Sequence, residues 1–249
     1  MELKGKVALI TGAARRVGRE IALILAQHGT SIVIHYRRSQ KEALDLKKKV
    51  KAFGVEACLV RADFSSQTKP LQPMIRHFVS AIYRKVHRVD ILINNAAIFY
   101  PTPFGKIKER DWDEFFTVNL KAPFFLAQEV GMRMAKAKSG KIINIADWTG
   151  FRPYMRYLPY AISKSGLMTA TVGLAKNLAP HVQVNSIAPG PILPARGMTP
   201  QQMKIVSERT LLKRFGDPRD IAETVRFLCA AGDFITGALI PVDGGALIA

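Results

Sequence analysis

Seven short β-rich runs, separated for the most part by helix-length stretches, constrain this chain more than any other feature. The first run, Val7-Ala8-Leu9-Ile10, passes through a glycine-containing turn into the helical stretch Val17–Gln27. Further strands are expected at Ser31–His35, Ala57–Arg61, Asp90–Asn94, Lys141–Ile145, Val182–Ile187 and Leu239–Val242. Helices are expected at Lys41–Ala52, Leu71–Val86, Asp111–Lys136, Tyr160–Leu178, Gln201–Thr210 and Pro218–Ala230. A strand that returns to a sheet through a helix needs a crossover, so its neighbour runs parallel to it, and helices on both faces bury the strands completely. The pattern predicts an α/β fold, a doubly wound parallel sheet of seven strands with helices on both faces. No repeat, linker or low-complexity tract divides it, and residues 1–249 are expected to form a single domain.

In such a sheet the loops at the carboxyl ends of the strands hold the ligand, which directs attention to those ends. The least regular stretch runs from Pro189 to Pro200, where Pro191, Pro194, Gly197 and their neighbours oppose a regular element. Residues 189–216 are therefore expected to form a substrate-covering region. No run approaches the roughly 18 apolar residues of a membrane span, and no secretory signal precedes the first strand, which predicts a soluble, cytoplasmic chain. Cys58 and Cys229 lie far apart, with no metal-ligand spacing around them, so no metal is expected and both read as buried small hydrophobes. The 37 basic residues outnumber 19 acidic ones, giving a net charge of +18 and a field that attracts anions. The basic residues are spread, as in Lys47-Lys48-Lys49 and Lys136 with Lys138, and no nucleic-acid-binding motif accompanies them. Solvated faces and attraction of a phosphate-bearing cofactor account for the charge better than specific nucleic-acid binding.

Two strand ends suit such a cofactor. The first is Thr11-Gly12-Ala13-Ala14-Arg15-Arg16-Val17-Gly18. Gly12 permits a sharp turn, Gly18 a close helix approach, and the helix start offers free N–H groups to a pyrophosphate, which makes Gly12, Arg15, Arg16, Val17 and Gly18 candidate contacts. Such a turn also occurs for structural reasons alone. The second strand ends in His35-Tyr36-Arg37-Arg38-Ser39, without the carboxylate that would bind a ribose 2′-hydroxyl. Tyr36, Arg37, Arg38 and Ser39 suit a 2′-phosphate instead, although a basic surface loop would look similar. Asp63, past the third strand, could accept a hydrogen bond from an adenine amino group or serve as a turn carboxylate.

The reactive groups are expected further along. Tyr160 and Lys164 stand four apart on one face of a helix, where a nearby ammonium would lower the phenol pKa and make it a usable proton donor. Alone, such a pair is usually a surface feature. Asp147 follows the strand Ile142-Ile143-Asn144-Ile145, and Asn119 lies in Val118-Asn119-Leu120-Lys121.

In their order, Thr11-Gly12 to Gly18, Asn94-Asn95-Ala96, Asn119, Tyr160 with Lys164, Pro189-Gly190 and Val242-Asp243-Gly244-Gly245 resemble the short-chain dehydrogenase/reductase family from Val7 to Gly245. The resemblance implies a Rossmann-type fold, NADP(H) as cofactor and a homotetramer, with the Asp111–Lys136 and Tyr160–Leu178 helices as interface elements. It also implies Tyr160 as the acid, Lys164 on the nicotinamide ribose, and Asn119 holding a water in a proton relay. Asn95, Ala96, Pro189 and Gly190 would line the cofactor channel.

Two departures from that pattern add charge beside the substrate: Asp147 replaces a serine thirteen residues before the tyrosine, and Arg16 replaces the middle glycine of the turn. Both resemble pteridine reductases, as do His35–Ser39 and Asn95-Ala96-Ala97-Ile98-Phe99-Tyr100-Pro101-Thr102-Pro103. That resemblance implies a site shaped by Arg16, Phe99, Asp147 and Tyr160, with Phe99 stacked on a pterin, although Ala97 and Ile192 stand where those enzymes have polar contacts. The expectation is an NADPH-dependent reductase acting on C=N bonds of a dihydropterin or dihydrofolate. The alternatives are a carbonyl reductase acting on a 3-oxoacyl or small ketone substrate and, supported only by charge, a non-catalytic dinucleotide- or nucleic-acid-binding protein.

Overall fold

The computed structural model describes residues 1–65, 70–194 and 197–249. The strands are β1 (Val7–Ile10), β2 (Ser31–Tyr36), β3 (Ala57–Arg61), β4 (Ile91–Asn94), β5 (Gly140–Ile145), β6 (Val182–Pro189) and β7 (Leu239–Val242). They form one parallel sheet in the order β3-β2-β1-β4-β5-β6-β7. The helices are α1 (Arg16–Gln27), α2 (Gln40–Lys51), α3 (Leu71–Val86), α4 (Glu109–Phe116), α5 (Ala122–Lys136), α6 (Leu158–Leu178), α7 (Pro200–Glu208) and α8 (Pro218–Ala230). This is the doubly wound α/β architecture that the alternating pattern predicts. The strand order reverses between β1 and β4, and that switch opens a crevice at the carboxyl ends of the strands.

Each strand side chain is committed to one face by the two-residue period of the backbone. Ala8, Ile10, Ile91, Ile93, Ile143 and Ile145 pack with Ile21 and Leu25 of α1, Leu46 of α2, and Ile221 and Leu228 of α8. Leu9, Leu92, Ile142 and Val184 point the other way, into Ile75 and Val79 of α3, Leu126 and Val130 of α5, and Leu174 and Leu178 of α6. Burying one such Leu or Ile is worth roughly 1.5–3 kcal/mol, so the sandwich holds the strand ends rigidly beneath the loops they carry.

The structure corrects three expectations. The helix expected at Asp111–Lys136 starts at Glu109 and is interrupted by a π-helical turn, Thr117–Lys121. Pro123 has no N–H to give the Asn119 carbonyl its α-helical partner, and the ladder widens there. The irregular stretch expected from Pro189 begins one residue late, because β6 stays paired with β7 through Pro189↔Val242. Within 189–216 the residues Ala195 and Arg196 lie outside the described set, and α7 starts from a Thr199–Gln202 capping box. Finally, Cys229 is buried as expected but Cys58 is only half-buried.

Candidate active site

The crevice is a single cleft of about 1010 Å³. Gly12, Arg15, Arg16, Val17, Gly18, Tyr36, Arg37, Arg38, Ser39, Asp63, Asn95, Ala96, Phe99, Asp147, Tyr160, Lys164, Pro189 and Gly190 all line it. Asn119 does not.

The β1–α1 turn is held from three sides. Gly12 has φ +63°, and its N–H donates to His35 Nδ1 at 3.1 Å. The Asn95 amide donates to the carbonyls of Thr11 (2.9 Å) and Gly12 (3.1 Å), while Thr11 Oγ1 accepts from the N–H groups of Asn95 and Ala96. A Cβ on Gly18 would lie 2.5 Å from Asn95 Nδ2 and 2.6 Å from the Gly12 carbonyl, so only glycine fits. Helix α1 starts without a side-chain cap and without an acidic residue in its first turn, leaving its N–H groups and dipole for an anion. Arg16 stands in the left-handed region at φ 54°, where a side chain other than glycine is strained.

At the β2 end, Ser39 precedes α2 without capping it, so its hydroxyl is free to meet a ligand. Arg37 donates to Ser65 Oγ (3.2 Å) and lies 3.8 Å from Asp63. Asp63 Oδ1 already accepts from the N–H and hydroxyl of Ser65, leaving Oδ2 for other partners. Arg38 has no ion pair among the described residues. An uncapped helix start, a turn that tolerates no Cβ, and two arginines with a free serine where a carboxylate would exclude a 2′-phosphate together fit the dinucleotide phosphates of NADP(H).

His35 has a role that its sequence position did not reveal. It stacks on Phe64 with ring centroids 4.6 Å apart and meets Phe78 edge-on. Burial drives its pKa down to about 4. The neutral ring therefore accepts from Gly12 on Nδ1 and donates from Nε2 to the Ala62 carbonyl (3.2 Å), tying the turn to β2 and β3.

At the reactive end, Tyr160 Oη donates to Asp147 Oδ2 at 2.8 Å. Asp147 Oδ1 accepts from the N–H and hydroxyl of Thr149, at 2.9 and 2.6 Å. Burial raises the Asp147 pKa against these hydrogen bonds. Burial also pushes the Tyr160 phenol well above its ordinary value, and the Asp147 charge and hydrogen bond push it the same way. The expected lowering of the tyrosine pKa by Lys164 is thus corrected. Lys164 Nζ donates to the Ile145 carbonyl at 2.7 Å and stands 5.8 Å from the Tyr160 ring centroid, whereas the carboxyl is in direct contact. Lys164 itself is brought down to about 8 by burial, partly offset by Asp147. Tyr160 is a protonated donor here, coupled to a carboxyl group that also leans toward its neutral form.

Asn119, on the π-helical turn, spends its amide on the backbone of Ile98, accepting at 2.9 Å and donating at 3.1 Å, and on Ser163 Oγ at 3.3 Å. It braces the cleft loop against α6. Phe99 is 49% exposed, too open for a core aromatic. Its ring lies parallel to Tyr157 at 4.5 Å and edge-on to Tyr160 at 4.8 Å. Ala97 and Ile192 also line the cleft, Ile192 as an apolar wall.

Sequence reasoning missed Thr149, Trp148, Tyr154, Tyr157, Arg156 and Arg209, all of which bind site residues or line the cleft. The three-residue spacing of Tyr154, Tyr157 and Tyr160 was a usable signal. Arg209 carried none, because only the chain's return through α7 brings it to the cleft.

Comparison with known proteins gives concordant results. The family model described as short chain dehydrogenase matches residues 6–204. A 3-oxoacyl-[acyl-carrier-protein] reductase FabG of Staphylococcus epidermidis is 35% identical, over 96% of this chain and 98% of that protein. The protein of the same name from Aquifex aeolicus is 34% identical over 98% of each. Among solved structures, FolM alternative dihydrofolate reductase 1 from Brucella canis, complexed with NADP, superposes with a TM-score of 0.91 at 31% identity, covering 100% of this chain and 96% of that one. A blue fluorescent protein from a metagenomic library, in complex with NADPH, gives 0.90 at 31% identity with full coverage of both chains. With a family model spanning most of its length and relatives above 30% identity over nearly all of it, the chain belongs to the short-chain dehydrogenase family.

Proposed function

We propose that this protein is an NADP(H)-dependent reductase that reduces a C=N bond of a dihydropterin or dihydrofolate. The observation that carries this reading is the Tyr160–Asp147 hydrogen bond of 2.8 Å on the cleft wall, in which a carboxyl group replaces the family's usual hydroxyl. Bound NADPH supplies the hydride. Reduction of C=N then needs one proton on the ring nitrogen, and the chain's own groups provide it. Asp147, its pKa raised, can carry a proton against a nitrogen heterocycle, while Tyr160, hydrogen-bonded to the same carboxyl oxygen, orients it, and solvent entering the cleft restores the carboxyl proton after turnover. Thr149 fixes the carboxyl plane. Phe99 and Tyr157 offer an aromatic wall for a flat ring, and Arg16 brings a guanidinium to the same cleft. Lys164, held by Ile145, would take the nicotinamide ribose, as family membership implies, and Asn119 braces the loop that carries Phe99.

A second reading, reduction of a 3-oxoacyl or small ketone substrate, is favoured by the names of the curated relatives at 34–35% identity. Asp147→Ser separates the two. On a pterin, loss of the carboxyl should lower turnover efficiency about 10²–10⁴-fold, the usual worth of a positioned acid–base group, with NADPH affinity retained. On a ketone, a serine hydroxyl restores the family's donor and efficiency holds or rises. A ratio of dihydrobiopterin to acetoacetyl-thioester efficiency that does not fall on Asp147→Ser moves the assignment to the carbonyl reductase. Among the described residues no helix is long and apolar enough to cross a membrane. A cytoplasmic homotetramer is the assembly we propose from family membership, with sedimentation analysis as its test.

A further inference from the structure

The end of the cleft beside Tyr160 carries positive charge that the proton donors do not use. Arg156 and Arg209 line the cleft and are exposed, and neither has an ion pair among the described residues. Both are tied to the reactive end and not to the phosphate end. Arg156 immediately precedes Tyr157, whose ring stacks on Phe99, and its carbonyl accepts from Thr102 N–H at 2.7 Å, locking it to the loop that carries Phe99. Arg209 follows α7 and approaches the Tyr154 phenol, partly offsetting the rise in its pKa caused by burial and by Asp147. Tyr154 in turn packs edge-on against Trp148 at 5.3 Å and lies 6.4 Å from Tyr157. Asp63 and Asp147 are the only acidic residues lining the cleft among the described residues. Asp63 sits with Arg37 at the opposite end, and Asp147 is engaged with Thr149 and Tyr160. Two guanidinium groups without carboxylate partners therefore flank the exit from the aromatic wall.

Resting on the reading of the site as a pterin reductase, we propose that Arg156 and Arg209 bind a carboxylate-bearing tail attached to the pterin. The substrate class is then a dihydrofolate, with an aminobenzoyl-glutamate extension, in preference to an unconjugated dihydropterin. A flat ring held between Phe99 and the reactive groups directs its substituent out of the cleft, where planar guanidinium forks match carboxylates in geometry as well as charge. A thioester substrate on a phosphopantetheine arm would offer the same arginines a phosphate, so the test includes that anion.

The experiment measures kcat/KM with NADPH for dihydrofolate, dihydropteroate, which lacks the glutamate, dihydrobiopterin, and the acetoacetyl thioester of coenzyme A. The intact protein, Arg156→Gln, Arg209→Gln, the double variant and the charge-reversed Arg156→Glu are compared. Expected is a dihydrofolate-to-dihydropteroate efficiency ratio above one that falls about two- to five-fold with each Gln variant, as for exposed ion pairs, and further with Arg156→Glu, through KM and not kcat. The ratio should also shrink as ionic strength rises. Reduction of all three pterins with a ratio near one that no variant shifts overturns the tail site and leaves the pterin reductase standing. Turnover of the thioester alone, with a KM sensitive to the same arginines, overturns both and assigns the pair to a phosphate.

Discussion

Lowering the pH from 6.5 toward 4 should destabilise this fold through one side chain, His35. In the folded protein burial among Phe64, Phe78 and the β1–α1 turn holds its pKa at about 4, against 6.5 for an exposed histidine. Between those values the unfolded chain binds a proton that the folded chain refuses, so stability rises with pH across the window. The contribution is complete above pH 6.5 and is lost as the pH falls to about 4. A tenfold change in proton affinity is worth about 1.4 kcal/mol. The full interval therefore corresponds to about 3 kcal/mol, a large fraction of the 5–15 kcal/mol (roughly) that holds a typical domain together. Protonation of the folded protein, which sets in only as the pH reaches about 4, also removes the acceptor for the Gly12 N–H, so NADPH affinity should hold across most of the window and weaken at its acid end. Denaturant unfolding of the protein and of His35→Asn, at intervals from pH 7.5 to 4, isolates the term. His35→Asn starts less stable, yet should lose about 3 kcal/mol less than the parent across the window. Parallel curves for the two proteins would refute the reasoning, because the remaining titrating groups are common to both.

Arg38→Asp should reverse or erase a preference for NADPH over NADH, read as the ratio of the two kcat/KM values; equal use of both cofactors by the unmodified protein would sink the 2′-phosphate assignment. Tyr160→Phe should leave NADPH binding measurable by fluorescence while turnover drops about 10²–10⁴-fold, and Lys164→Ala should weaken both; retained turnover in Tyr160→Phe would make Asp147 the sole donor. Arg16→Gly should raise the unfolding free energy by about 1 kcal/mol by relieving a left-handed side chain, and lower pterin turnover efficiency in the same protein. An Arg16→Gly variant neither more stable nor less active would leave Arg16 without a role.

The fold was legible because a parallel sheet covered on both faces leaves little ambiguity: the strands are predominantly apolar, and the crossovers supply helix-length gaps. Where legibility failed, chain connectivity had no local signature. The π-helical turn at Thr117–Lys121 arises from the single missing N–H of Pro123, set within a stretch whose apolar spacing is otherwise helical. At the site, residues in strand-end motifs were found because backbone geometry demands particular residue types there, glycine at 12 and 18 above all. His35 was quoted only as part of a basic run, since no pattern in sequence distinguishes a buried neutral histidine from an exposed cation. The Tyr160–Lys164 spacing suggested a direct electrostatic effect. The backbone carbonyl of Ile145, invisible as a side-chain feature, instead claims the ammonium and leaves Asp147 as the phenol's main neighbour.

The two departures from the family pattern share a physical property that ties them to ligand binding and not to packing. Arg16 holds a left-handed conformation at φ 54°, which costs roughly 1–2 kcal/mol for an L-residue with a Cβ, and its guanidinium makes no hydrogen bond or ion pair among the described residues to offset that cost. Asp147 carries a carboxyl group whose pKa is raised by burial, so the fold disfavours its charged form. A glycine at 16 and a serine at 147 would remove both costs with no loss of core contact, because neither side chain belongs to the apolar clusters. Strain and desolvation kept in one cleft, opposite an aromatic wall and beside a tyrosine donor, can be offset by bound ligands that meet the guanidinium and the carboxyl. Under the proposed pterin reading, a ring with donors and acceptors along its edge can use both groups, whereas a ketone oxygen needs a single donor and leaves Asp147 without a task.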